Sequence, residues 1–198
     1  MKGAKGERRK QELLNIAYQM FIQKGYEETS IDEIIAEAHI AKGTYYYYFP
    51  SKEAALEAII DMMINHEVQR AREILSSPLS VPQKLTGVIT SLRPGQYESS
   101  IADTLNKKEN IIMHEKVSRR IIDEAVPLLA QIVSEGIAQG IFDCSHVEER
   151  VRMILILSDH LFDSDNSTAG VIEVFMDMVE KSLGAKPGTL GYIHELIH

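Results

Sequence analysis

Apolar residues in this chain recur at spacings of three and four, and no useful length alternates with period two. That periodicity matches one face of an α-helix and not the two faces of a strand, so the chain is read as all-α, with about nine helices. Leu13, Ala17 and Phe21 make one stripe, with Leu14, Ile16 and Met20 beside it, which predicts a first helix from about Arg8 to Lys24, ended by Gly25. Ser30-Ile31-Asp32-Glu33 then reads as a capping box, in which the serine hydroxyl takes an orphan amide and Glu33 reaches back. Ile31, Ile34 and Ile35 supply the buried face of this short second helix. The pattern breaks near Ala38-His39-Ile40, and a short third helix runs from about Lys42 to Tyr48, stopped by Pro50.

Ser51 is placed to cap a fourth helix reaching about Leu75, with Leu56, Ile59, Ile60, Met63 and Ile64 as its apolar stripe. Ser76-Ser77-Pro78 and Arg93-Pro94-Gly95 are breaks, and Pro82 suits the first turn of the helix between them. A short helix is expected near Glu98 to Leu105, and a long one to about Gln139 that Pro127 either kinks or divides. Ser145-His146-Val147-Glu148 reads as a second capping box, opening a helix to about Leu161. The last long helix spans roughly Ser167 to Leu183, with Gly184 and Pro187 after it.

The first three helices, the second and third joined by a tight turn, form a helix-turn-helix between Ser30 and Phe49. At 100° per residue, Tyr45 and Phe49 share one face of the third helix with Tyr48 at its edge, whereas Gly43 and Tyr47 lie opposite, flanked by Thr44 and Tyr46. Four successive tyrosines therefore cannot all be buried, and Tyr46 and Tyr47 are expected to face solvent. Exposed phenols beside Lys42, Thr44 and a glycine suit a helix entering the major groove of double-stranded DNA. The hydroxyls reach phosphates, the rings reach sugars and thymine methyls, and Gly43 permits close approach.

Charge is a poorer match at first sight, because the 198-residue chain carries a formal net charge of −8. Its distribution removes the conflict. Through Glu53 there are eight basic and eight acidic residues; the remainder holds 13 and 21, so the acidic excess lies outside the N-terminal unit. Lys2, Lys5, Arg8, Arg9 and Lys10 form a basic arm, either laid along phosphates or simply solvated.

The segments Thr29-Ser30-Ile31-Asp32-Glu33-Ile34-Ile35, Ala41-Lys42-Gly43-Thr44-Tyr45-Tyr46-Tyr47-Tyr48-Phe49 and Ser51-Lys52-Glu53 resemble the DNA-binding signature of the tetracycline-repressor (TetR) family. The resemblance covers about residues 7–67. It implies that Thr29 and Ser30 approach phosphates, that Lys42, Gly43, Thr44 and Tyr47 face bases or nearby backbone, and that Tyr46, Tyr48 and Lys52 clamp the backbone. Two positions depart from the pattern: His39 stands in the turn where the family usually has glycine, and Ala41 where a serine or threonine cap is common. Histidine tolerates a left-handed backbone better than most residues, and the absent cap costs about 1 kcal/mol.

The resemblance divides the chain into a DNA-binding domain at 1–53 and a helical effector-binding and dimerisation domain at 54–198. Family members dimerise through the last two long helices, which makes Ile154, Leu157, Leu161, Val171, Phe175, Met178 and Val179 candidates for a dimer face or for the protomer's own core. Met62, Met63, His66, Tyr97, Met113, His114 and Phe162 are pocket candidates for a partly apolar small molecule, or ordinary core and surface residues.

No cofactor, metal or catalytic site is expected. His114-Glu115 is followed by Ser118 and His66-Glu67 by Arg70, so neither makes the H-E-x-x-H zinc spacing, and no nucleotide loop or nucleophile elbow occurs. The chain is accordingly read as a regulator and not an enzyme. The absence of a signal-like start, of a membrane-length apolar run and of any cysteine besides Cys144 suggests the cytoplasm and no membrane partner. The function expected is that of a homodimeric repressor released from its operator by a small molecule. The alternative is a DNA-bound structural or cell-division factor on the same fold, without an inducer.

Overall fold

A computed structural model describes residues 2–92, 101, 104, 111–162 and 168–194, with side chains for all of these except 2–5, 162 and 194. Among these residues nine helices have defined bounds, and there is no strand. They are α1 (Lys2–Lys24), α2 (Ile31–Glu37), α3 (Lys42–Tyr48), α4 (Lys52–Ser76), α5 (Val81–Ser91), α6 (Ile111–Ala138), α7 (Val147–Phe162), α8 (Ala169–Leu183) and α9 (Gly191–His194). The chain forms two compact units, one of residues 1–65 and 94–117, the other of residues 66–93 and 118–198. The division falls inside α4, between Asn65 and His66.

The first unit is built on α1, α2 and α3. Leu13, Leu14, Ala17 and Phe21 of α1 are buried together with Ile34, Ala38, Tyr45 and Phe49. The helix begins earlier than its apolar stripe, because Lys2 to Glu7 contain no proline and continue the turn of Arg8, whose side chain pairs with Glu12 at i+4. The segment expected as a basic arm is thus helical from Lys2. At its other end Gly25, at φ 94°, stops the helix.

The second unit holds a core of Ala71, Leu75, Val81, Leu85, Val88, Leu129, Ile132, Val133, Phe142, Val151, Ile172, Phe175, Val179, Leu183 and Leu190, with others. Ser80 and Gln83 make the cap of α5, the glutamine oxygen accepting the Ser80 amide at 3.0 Å. Pro127 does not divide α6, which runs through it. Residue 136 must be small, since a Cβ there would stand 2.3 Å from the Phe142 ring that packs over it. The second capping box gives way to another start: His146 adopts φ 55°, α7 begins at Val147, and Ser145 uses its carbonyl to accept from Arg150 Nε at 2.7 Å. The same guanidinium donates to Ser182 O at 2.7 Å, tying α7 to the end of α8. Beyond Gly184 the chain turns back, and Leu190 is buried. The short helix expected near Glu98 to Leu105 lies outside the described residues except for Ile101 and Thr104, both helical and buried.

Candidate nucleic-acid interface

Helix α2 is held by local chemistry at both ends. At its start the Ser30 hydroxyl accepts the Glu33 amide at 3.2 Å, and the Glu33 carboxylate accepts the Ser30 amide at 2.8 Å. Lys24 pairs with the same carboxylate. The Lys24 ammonium, then the Ser30 amide and hydroxyl, hold the Glu33 acid down to about 2. At the other end His39 takes φ 51°. The Ile40 amide donates to Ile35 O at 3.3 Å and the His39 amide to Ala36 O at 3.2 Å, the two bonds of a Schellman turn. Histidine therefore occupies the left-handed position that glycine fills after α6 and α8, at Gly140 and Gly184. Arg9 adds a bond from α1, donating to Ala38 O at 3.4 Å.

Helix α3 starts at Ala41 without a side-chain cap, and its fixed point is aromatic. Tyr45 is fully buried, its ring 5.9 Å from that of Phe49, and burial pushes the Tyr45 phenol up to about 12. These two anchors present the opposite face outward. Tyr47 is 81% exposed and Tyr46 44%; Gly43 has open space where a Cβ would be. Tyr48 and Thr44 are half-buried at the edges, and the Tyr48 ring stacks edge-on with Tyr47 at 5.0 Å. The helix wheel drawn from the sequence holds residue by residue along α3.

Two side chains expected on phosphates have other tasks. Thr29 is fully buried, and its hydroxyl donates to Gly25 O at 2.7 Å, closing the turn between α1 and α2. Lys52 folds onto the same turn: its ammonium donates to Tyr26 O at 2.9 Å, Thr29 O at 3.1 Å and Glu27 O at 3.3 Å, and it lies 4.3 Å from the centre of the Tyr26 ring. Three donors meet three carbonyls, so this ammonium is spent inside the protein. Ser30 stays exposed with its hydroxyl engaged in the cap. Lys42 is exposed and pairs with Asp32 on α2 at 3.1 Å, which raises its pKa. Asp32 was missed by sequence reasoning, since no local spacing rule relates residues on two helices.

The pocket candidates of the sequence fall in both units. Met62, Met63, Met113 and His114 are half-buried in the first unit; His66 is exposed in the second, its ring nitrogen 3.1 Å from Glu67; Tyr97 and the side chain of Phe162 lie outside the described residues. Of the described candidates, none lines the apolar cavity of the second unit, which lies among α5, α6, α7, α8 and the segment after α8. The dimer-face candidates differ in burial. Phe175 and Val179 are buried, Ile154, Leu157, Leu161 and Val171 half-buried, and Met178 exposed. Among the described residues no cluster suited to a metal ion occurs, and no helix is long and apolar enough to cross a membrane.

Comparison with known proteins agrees with this arrangement. Residues 13–59 match the model of bacterial regulatory proteins of the tetR family, and residues 96–169 a tetracyclin repressor-like C-terminal domain. The chain is 26% identical over 133 residues to the fatty acid metabolism regulator protein of Bacillus subtilis, covering 65% of this chain and 68% of that one. It is 25% identical over 146 residues to the transcriptional repressor KstR2 of Mycolicibacterium smegmatis, covering 68% and 67%. Among solved structures, RolR in complex with resorcinol shares the fold at a TM-score of 0.64 and 17% identity, over 98% of this chain and 95% of that one. The two curated relatives are regulators and not enzymes, as is the matched family. An α3 anchored by Tyr45 and Phe49, two matching family models and this set of relatives together establish that the chain belongs to the tetracycline-repressor family of DNA-binding transcriptional regulators.

Proposed function

We propose that the chain acts as a homodimeric repressor that sets one α3 from each protomer into successive major grooves of a near-palindromic operator, and that a small molecule bound by the second unit releases it. The observation that carries the DNA-binding part is the outward face of α3. Tyr47, Tyr46, Gly43 and Lys42 are exposed together while Tyr45 and Phe49 fix the helix from behind. Thr44 and Tyr48 flank that face. Two such helices about 34–36 Å apart would read two half-sites one turn of DNA apart.

Dimerisation is supported by apolar side chains left on the surface of the second unit. Met153 and Ile156 of α7 are 70% and 53% exposed, and Val174 and Met178 of α8 are 60% and 50% exposed. The spacings of three and four place each pair on one helix face, and a second copy would cover both faces by two-fold symmetry. An effector would act by binding more tightly to the conformer whose α3 spacing does not fit the operator. RolR, solved in complex with resorcinol, is one protein of this fold with a small molecule bound.

The test is an operator titration with the wild type and with Tyr47→Ala. Affinity is expected to fall at least about tenfold and sequence preference to relax, the loss belonging to a contact that touches bases or their edges. Unchanged affinity with unchanged preference would remove α3 from the interface.

A further inference from the structure

The second unit holds a partly open cavity of about 120 Å³ whose lining is drawn from α5, α6, α7, α8 and the segment that follows α8. Leu129 and Val133 form one wall and Phe175 another, and Leu190 and Ile193 close the side nearest the C-terminal segment. Among the described lining residues Ser158 alone has a polar side chain, and none is charged. A dry apolar cavity of about 150 Å³ is known to accept benzene, so this one is of single-ring size and far below the 300–1,000 Å³ of a drug-sized site. An ionised group would enter it without a counter-charge, at a cost no single serine hydroxyl offsets.

The closing side is held by one carboxylate. Glu180 is buried on α8, and its two oxygens accept the amides of Gly188 and Leu190, both at 2.8 Å. These charge-assisted bonds fix the turn that carries Leu190, itself 1% exposed, over the cavity. The ladder of α8 ends at Gly184, so residues 185–190 have no helix of their own to hold them, and the bonds at Glu180 connect them to the core.

We propose that this cavity is the effector site, that it takes a small uncharged molecule of one ring or a short aliphatic chain with at most a hydroxyl or two, and that the C-terminal segment latched by Glu180 is its door. The inference rests on the reading of the second unit as an effector domain and adds the ligand class and the route of entry.

Phenol, toluene and benzoate serve as probes, titrated into the full-length protein while the methyl resonances of Leu129, Val133 and Leu190 are followed by NMR. Phenol and toluene are expected to shift these methyls saturably, with benzoate at least about a hundredfold weaker. Filling the cavity with Val133→Phe is expected to abolish the shifts. Glu180→Gln leaves one acceptor oxygen for two amides and sets a donor against a donor; phenol exchange is expected to quicken about tenfold in both directions with little change in affinity. If Glu180→Gln does not fold, Leu190→Ala, which thins the door without touching the latch, is expected to quicken exchange likewise.

Benzoate binding as tightly as phenol, or no probe shifting these methyls, overturns the ligand class. Unchanged exchange in a folded Glu180→Gln overturns the door. Operator binding by the probe-free protein is measured alongside. Operator binding without probe binding defeats this inference and leaves the regulator intact, whereas probe binding without any operator binding defeats the regulator reading and leaves the site.

Discussion

Lys52 stands one residue beyond the Ser51 cap, at the start of a helix, a position where a lysine is easily read as reaching for phosphate. Its three bonds to Tyr26 O, Glu27 O and Thr29 O turn it instead into a clamp on the turn that sets α2 against α1. Lys52→Met is therefore expected to cost about 2 kcal/mol in urea unfolding, because carbonyls in a half-buried turn lose a charged donor. Full stability with weakened operator binding would return Lys52 to the phosphates. Glu33 supplies a pH dependence at the same scale. Its folded pKa of about 2 lies below the ordinary 4.5, so its contribution is complete above about pH 4.5 and is lost as pH falls toward 2. Wild type is expected to exceed Glu33→Gln in melting temperature at pH 7, with the gap closing between pH 4.5 and 2. A gap that stays constant with pH would show that the carboxylate is not the group responsible.

At the scale of elements, α2 and α3 were legible because their signals are local. Ser30 and Glu33 lie three residues apart, Pro50 ends the run, and Tyr45 and Phe49 share a face by helical geometry alone. The start of α1 was less legible, since nothing in Lys2 to Glu7 marks a boundary and a charged segment is compatible with either helix or coil. Helices α7 and α8 are apolar on more than one face, and periodicity does not say which face a neighbour covers. Phe175 and Val179 turn inward and Met153, Ile156 and Val174 outward only because of where α6 and α5 pack. If the outward face is the dimer interface, Ile156→Glu places two unpaired carboxylates in it, and the dimer dissociation constant is expected to rise at least about a hundredfold by sedimentation. Unchanged sedimentation would move the interface elsewhere.

For the whole molecule, charge decides how the protein meets DNA. The excess of acid beyond Glu53 disfavours indiscriminate attraction to phosphates, and the one lysine at the head of α3 is paired with Asp32. Operator affinity is accordingly expected to fall only modestly with salt. Asp32→Asn, which frees Lys42, is expected to steepen the plot of log affinity against log salt by about one per protomer. An unchanged slope would show that Lys42 never reaches a phosphate. Sequence alone determined the helical class, the helix-turn-helix and the exposed tyrosines, because helix periodicity, caps and stops act within a few residues of chain. Tertiary structure alone decided that Thr29 and Lys52 serve the turn, that Glu180 holds the C-terminal segment, and that Ile154, Phe175 and Val179, read from the sequence as dimer-face candidates, line a cavity of the second unit. Those outcomes depend on groups far apart in the chain meeting across packed helices, and no local spacing encodes which of two apolar faces, or which of several carbonyls, lies within reach.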